Sequence, residues 1–217
     1  MMYPINEIFE TIQGEAAYTG TPSIFIRLQG CPIGCPWCDT KHTWQINEDK
    51  LSGIALIQAK DTDSDKYSYA TSDAIITLIN SYNAKHIVIT GGEPCLYDLT
   101  ELTEAIIKSG RSVQIETSAT HEIKCHKDTW VTASPKLNMP GGFELRQDAL
   151  NRANEIKWPV GKMLDIENLK QVCSELCINI WLQPLSQSPK ATKLCIDQAI
   201  LNGWKISIQT HKYMGIR

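Results

Sequence analysis

Short β-branched runs alternate with helix-like stretches along most of this chain, and that alternation limits the possible folds more than any other feature. Residues 24–28, 86–90, 112–116, 130–133, 155–157, 178–183 and 205–209 read as strands. Between them the spacing predicts helices over 72–81, 99–109, 166–176 and 191–202. Asp165 is placed to cap the third of these, and Gly110 and Gly203 sit where helices should stop. Strand then helix, repeated, builds an α/β fold with a parallel sheet, either open or rolled into a barrel. The 217 residues fit a single domain, 1–217, able to bury its core without disulfides. One stretch breaks the pattern. Residues 45–72 are polar and contain Asp61-Thr62-Asp63-Ser64-Asp65-Lys66, which lacks the glycine and the final glutamate of a calcium loop and reads as a solvated insertion.

With the strands placed, the chemically able residues fall at one end of them. Gly30-Cys31 follows the first strand and Thr90-Gly91-Gly92-Glu93-Pro94 the second. Glu116-Thr117-Ser118 ends the third, Ser134-Pro135-Lys136 the fourth, and Gln183-Pro184 and Gln209-Thr210-His211 the last two. Ligands of parallel α/β folds gather at the carboxyl ends of the strands, so these loops should share one mouth.

Cys31, Cys35 and Cys38 are spaced C-x3-C-x2-C, with Gly34 and two prolines letting the backbone wrap tightly. Three thiolates can hold three irons of a [4Fe–4S] cluster and leave the fourth iron open for another ligand. The rival is a zinc site, which wants a fourth ligand, and His42 is the near candidate. The other cysteines, Cys95, Cys125, Cys173, Cys177 and Cys195, read as buried thiols. With no signal-peptide pattern and no apolar run near the roughly 20 residues of a membrane span, a reduced, cytoplasmic protein without a membrane partner is expected. A net charge of −3 leaves no basic footprint for direct nucleic-acid binding.

These motifs together resemble a known family. The three-cysteine spacing, with Trp37 before the last cysteine, and the Gly-Gly-Glu-Pro at 91–94 resemble the radical S-adenosylmethionine superfamily. Within it, Thr11-Ile12-Gln13-Gly14-Glu15, Phe25-Ile26-Arg27-Leu28-Gln29-Gly30-Cys31, Cys38-Asp39-Thr40-Lys41-His42-Thr43-Trp44 and Ser134-Pro135-Lys136 resemble the 7-carboxy-7-deazaguanine synthase family along essentially the whole chain. The resemblance implies an incomplete, TIM-like β/α barrel and a homodimer. It implies a lyase of queuosine biosynthesis that contracts the ring of 6-carboxy-5,6,7,8-tetrahydropterin, releasing ammonia. It also implies a [4Fe–4S] cluster, S-adenosylmethionine, Mg²⁺ and an electron donor such as flavodoxin or ferredoxin.

Carried over by position, the resemblance gives roles that make chemical sense. Ile12, Gln13, Gly14 and Thr90 would line the pterin, and Arg27 would pair with its carboxylate through a planar fork. Arg27 and Glu116 are the candidate catalytic residues. Trp37, Cys38, Asp39, Gly92, Ser134, Pro135 and Lys136 would hold S-adenosylmethionine, with Glu93 organising its loop or the cofactor's ammonium. Cys31, Cys35 and Cys38 would bind the cluster, and Thr40 would be the lone protein ligand of Mg²⁺, an ion that keeps much of its water. His211 and Gln183 are further candidates at strand ends. Plainer readings stand beside these: Arg27 paired with an acidic neighbour, and Thr40 as a turn residue. Ala16 stands where the family has glycine, so the turn there is expected to differ. A glycyl-radical activating enzyme or an iron–sulfur electron carrier shares the cysteine spacing, but leaves Gln13-Gly14-Glu15 or the Gly-Gly-Glu-Pro motif without a purpose.

Overall fold

The computed structural model describes residues 1–58, 60 and 62–216. Asp61 of the polar stretch and the terminal Arg217 lie outside them. The chain begins with β1 (Met2–Ile12) and β2 (Pro22–Leu28), then α1 (Ile54–Gln58), β3 (Ser68–Thr71), α2 (Ser72–Ile79), β4 (His86–Gly91) and α3 (Thr100–Lys108). It continues with β5 (Ser112–Thr117), β6 (Trp130–Ala133), α4 (Gln147–Arg152), β7 (Glu155–Val160), α5 (Met163–Val172), β8 (Asn179–Pro184), α6 (Pro189–Asn202), β9 (Lys205–Ile206) and α7 (Thr210–Met214). The strands form one sheet in the order β3-β1-β2-β4-β5-β6-β7-β8-β9. From β2 to β9 every pairing is parallel, as the alternation requires.

Two strands were not expected. β1 runs antiparallel to β2, and β3 antiparallel to β1. The polar stretch is therefore not wholly an insertion: its last residues enter the sheet, and Tyr67 is fully buried. Helix α5 starts three residues before the expected position. Asp165 lies inside its first turn, where the carboxylate accepts the N–H groups of Gly161 and Lys162 at 2.8 and 2.9 Å. Gly203 ends α6 in the left-handed conformation.

Period-two alternation decides what each strand shows to either side. One face of β2, β4 and β5 carries Ile24, Ile26, Leu28, Ile87, Ile89, Val113 and Ile115, packed against α2 and α3. On β7 and β8 the same face carries Ile156, Trp158, Val160, Ile180 and Leu182, in a second core with α4, α5 and α6. The opposite face is largely polar: Arg27, Thr90, Gln114, Glu116, Thr132, Glu155, Lys157 and Gln183 share the alternate positions with Phe25, Val88 and Trp181. An interior lined this way does not fill itself with apolar layers as a closed barrel does.

The incomplete barrel is bridged by the turn between β1 and β2. Ala16 N–H donates to Ser207 Oγ at 2.9 Å, and Thr210 N–H to the Gly14 carbonyl at 3.0 Å, so the turn meets the chain just beyond β9. Tyr18 stacks on His86, with ring centroids 4.0 Å apart, and meets Trp130 edge-on. Beneath, Gln114 Nε2 donates to Thr132 and Thr132 to Glu155, closing the inner floor with hydrogen bonds. No helix among the described residues is long and apolar enough to cross a membrane.

Candidate active site

A cavity of about 330 Å³ opens at the carboxyl ends of the strands. One wall is the loop that carries the three cysteines. Cys38 N–H donates to the Cys35 carbonyl at 3.0 Å, and the loop is anchored where Gly30 and Cys31 N–H groups bond the carbonyls of Thr43 and Trp44. Gly91 and Gly92 lie directly on this backbone. A Cβ on Gly92 would fall 2.0 Å from the Gly30 oxygen, and Gly91 has φ +114°. Glu93 completes the junction: its buried carboxylate accepts the Cys95 N–H at 3.0 Å, the Thr117 hydroxyl at 2.6 Å and both the N–H and hydroxyl of Ser118. Its four donors belong to the protein, so Glu93 organises the loop.

The sulfur chemistry discriminates between metals. A single zinc draws its thiolates to roughly 3.8 Å of one another, given Zn–S bonds of about 2.3 Å in a tetrahedron. The three cysteines do not bring their sulfurs within 4.8 Å of one another; among the described residues the group of three ligands that does is Glu7, His42 and Asp63. His42 Nδ1 lies 3.9 Å from Asp63 and not with the cysteines, so the zinc reading loses its fourth ligand. Burial, above all, pushes the Cys31 thiol up to about 11 and raises Cys35 as well, and each neighbouring thiolate adds to the effect. Ionised sulfurs there require a bound metal centre, which zinc or an iron–sulfur cluster would equally supply, so the choice rests on the sulfur separation.

The facing wall is built from charged side chains. Lys157 of β7 lies between two carboxylates, in direct contact with Glu15 and 3.0 Å from Glu116. Gln209 and Gln183 donate to Glu15 Oε1 at 2.7 and 3.3 Å, and Gln13 donates to Glu116 at 3.1 Å. Burial works to raise the Glu15 carboxyl, but the Lys157 charge and the hydrogen bonds from Lys157 and Gln209 outweigh it and hold it down at about 2. Burial likewise opposes the Lys157 charge, and Glu116 and Glu15 together hold its pKa well above the usual lysine range. Between the walls stand Arg27 and Thr40. Arg27 Nε donates to the buried Glu7 at 2.5 Å, while its terminal nitrogens make no hydrogen bond among the described residues. The plainer reading of Arg27 is thus true of one of its nitrogens. Thr40 Oγ1 lies 3.5 Å from Cys38 Sγ.

The Radical SAM superfamily model matches residues 25–128. The 7-carboxy-7-deazaguanine synthase of Escherichia coli strain K12 is 54% identical over the whole of both chains, and that of Buchnera aphidicola subsp. Schizaphis graminum is 49% identical, also over both. The crystal structure of QueE from Escherichia coli superposes with a TM-score of 0.94 at 53% identity, covering 96% of this chain and 94% of that one. This chain belongs to the 7-carboxy-7-deazaguanine synthase family.

Of the positions carried over from that family, all but one line the cavity. Pro135 is buried behind it, between the lining residues Ser134 and Lys136. Lys136 donates to Ser134 Oγ at 2.6 Å, and burial lowers its pKa. Gln183 and His211 also line the cavity. Gln209, placed in the mouth as a strand-end residue, and Glu15, quoted within the 11–15 motif, had no role assigned from the sequence; Lys157 was not singled out, and neither was the turn at 139–142. There Gly141 N–H donates to the Ile33 carbonyl at 3.0 Å and its Cα packs on Pro32, buttressing the cysteine loop from behind.

Proposed function

We infer that this chain contracts the ring of 6-carboxy-5,6,7,8-tetrahydropterin to 7-carboxy-7-deazaguanine with loss of ammonia, as a radical S-adenosylmethionine lyase of queuosine biosynthesis. The observation that carries the reading is the single cavity between a three-cysteine wall and a carboxylate wall, in a chain 54% identical end to end to a synthase of that name. Cys31, Cys35 and Cys38 would hold the [4Fe–4S] cluster. Trp37, Asp39, Gly92, Ser134 and Lys136 would receive S-adenosylmethionine beside it, with Pro135 shaping that strand end. Cluster and cofactor together supply a hydrogen-abstracting carbon radical when bound.

The protein's own residues bind and orient. A pterin presents amine and lactam N–H donors along one edge and, here, a carboxylate at the other end. Glu116 and Gln13, with the backbone at Ile12 and Gly14, suit the donor edge, and Thr90 lines the cavity above it. The terminal nitrogens of Arg27 suit the carboxylate, with Glu7 fixing the guanidinium through Nε. Thr40 offers one hard oxygen, which fits a Mg²⁺ that keeps several waters and takes substrate oxygen as well. A homodimer, a flavodoxin- or ferredoxin-like reductant and a cytoplasmic location complete the reading; the outward-facing Ile196 and Ile200 of α6 give a second copy an apolar surface to cover.

The test is anaerobic reconstitution of the cluster, followed by reductant, S-adenosylmethionine, Mg²⁺ and the carboxylated tetrahydropterin, with mass spectrometry of the products. The expected product is 7-carboxy-7-deazaguanine. An intact cluster that yields 5′-deoxyadenosine but no deazaguanine would remove the substrate assignment and leave the superfamily membership standing.

A further inference from the structure

The carboxylate wall holds a group that the reaction, as read above, does not use. Lys157 comes from the inward face of β7, where Ile156 and Trp158 on either side point into the outer core. It is 5% exposed, and its ammonium touches Glu15 of the β1–β2 turn and Glu116 of β5. A buried ammonium with two carboxylates leaves the wall with one net negative charge. It also keeps apart two acidic groups that would otherwise repel or share a proton.

We propose that Lys157 is a positioning residue for the substrate: it holds Glu15 and Glu116 apart and fixed on the inner wall, so that their carboxylates accept hydrogen bonds from the N–H edge of the pterin. This rests on the pterin reading of the cavity. Each carboxylate spends one oxygen on Lys157. The other oxygen is steered by an amide, Gln13 for Glu116 and Gln209 with Gln183 for Glu15. Lys212 in turn donates to Gln209 at 2.7 Å and fixes which way that amide faces. A carboxyl group that took up a proton would present a donor to the substrate's donors, and the edge would no longer be recognised.

Other charges face the same space and set the background for any titration. Lys136 approaches from the end of β6, His211 and Lys212 from α7, Asp39 from the cysteine loop and Arg27, with Glu7, from β2. Among the described residues none of these groups hydrogen-bonds or pairs with Glu116, and His211 acts on Glu15 only through its charge. Lys157 is the cation shared by both carboxylates.

The test compares wild type, Lys157→Met and Lys157→Arg as reconstituted holoenzymes at saturating S-adenosylmethionine and Mg²⁺, varying 6-carboxytetrahydropterin and pH. Lys157→Met should raise KM for the pterin about 100-fold while kcat falls less than about tenfold. Because the Lys157 charge holds the Glu15 carboxyl down, loss of the cation should also move the acid limb of kcat/KM up by about one to two pH units. Lys157→Arg, which keeps the charge, should recover most of both effects. A lysine with a merely structural role would lower thermal stability and cluster content but leave the acid limb in place. A pterin KM within about threefold of wild type, or an unmoved acid limb, overturns the assignment. If Lys157→Met does not fold, Glu15→Gln/Lys157→Gln keeps the wall hydrogen-bonded with one net negative charge and is compared with Glu15→Gln alone: a pterin KM within about threefold of that single variant overturns the assignment. A wild type that makes no deazaguanine despite an intact cluster overturns the pterin reading and this assignment with it. A wild type that turns over while Lys157→Met matches it overturns Lys157 alone.

Discussion

The two walls of the cavity are made in opposite ways. The sulfur wall is main chain: three cysteines within eight residues, two glycines pressed on the backbone that leads into them, and a glutamate whose oxygens are taken up by neighbouring N–H and hydroxyl groups. The carboxylate wall is side chain: Glu15 and Lys157 are 142 residues apart, and Glu116 and Lys157 are 41 apart. A main-chain wall fails by steric displacement, because backbone has nowhere to go. A side-chain wall fails by changes of charge, because its members are held by one another. The two should therefore break under different perturbations, and that difference can be measured.

The largest effect is expected on the sulfur wall. Gly92→Ala puts a Cβ 2.0 Å from the Gly30 oxygen and 2.6 Å from its carbonyl carbon, both backbone atoms leading into Cys31. Relief requires the cysteine loop to move, so iron and sulfide per chain should fall below half and product formation by about 1,000-fold, with roughly 1–3 kcal/mol lost in stability. Full cluster loading in Gly92→Ala would show that the two strand ends are not rigidly coupled. Between the walls, Arg27→Ala should cost about 100-fold in kcat/KM for the pterin while the cluster spectrum stays that of wild type. Loss of the cluster instead would make Arg27 structural, through its pairing with Glu7.

On the carboxylate wall the expected signature is a dependence on pH. Glu15 is held down at about 2 in the folded protein, against an ordinary carboxylate value when unfolded. A depressed carboxyl contributes stability above its unfolded value and loses it as pH falls toward the folded one. Wild type should thus exceed Glu15→Gln in urea stability by on the order of 2 kcal/mol at pH 7, with the gap closing from about pH 5 toward pH 2. A gap that is independent of pH would mean that the wall is held by packing and not by charge.

The same contrast explains what was legible before the structure. The cysteine spacing, the glycine pair and the strand ends are local patterns, and each lies in the cavity where the strand-end argument puts it. Much of the remaining site came from family resemblance, since Thr40 or Ile12 alone carries no chemical signal. Lys157 was hidden because a lysine in the run Glu155-Ile156-Lys157-Trp158 is meaningful only once the facing strands are known. β1 was missed for another reason: Pro4, Asn6 and Glu7 spoil the alternation, and a register shift between Ile5 and Glu7 breaks the period itself. Six-residue α4 is too short to show a helical period. β9 is shorter than expected because Ser207 turns away, giving its hydroxyl to Gln183 and accepting from Ala16.

Ala16 offers the smallest effect and the finest probe of how the carboxylate wall is carried. It follows Glu15 directly, and the glycine expected there from the family would suit its backbone, which has φ +54°. The structure keeps that left-handed turn with alanine: the N–H bonds Ser207 and the carbonyl accepts from Thr19 N–H at 3.2 Å and Thr19 Oγ1 at 2.8 Å. A left-handed alanine costs about 1–2 kcal/mol. Glycine relieves this but gives back roughly 0.4–1 kcal/mol through the freedom of its unfolded chain. Removal of a buried methyl gives back up to about 0.8 kcal/mol more. The balance leaves Ala16→Gly near neutral, within about 0.8 kcal/mol either way, read as a urea midpoint that barely moves at unchanged slope. A loss of more than about 1 kcal/mol would mean that the methyl, 3% exposed beneath Ser207, packs the bridge between the β1–β2 turn and β9. In that case the carboxylate wall would lean on an apolar contact as well as on its charges.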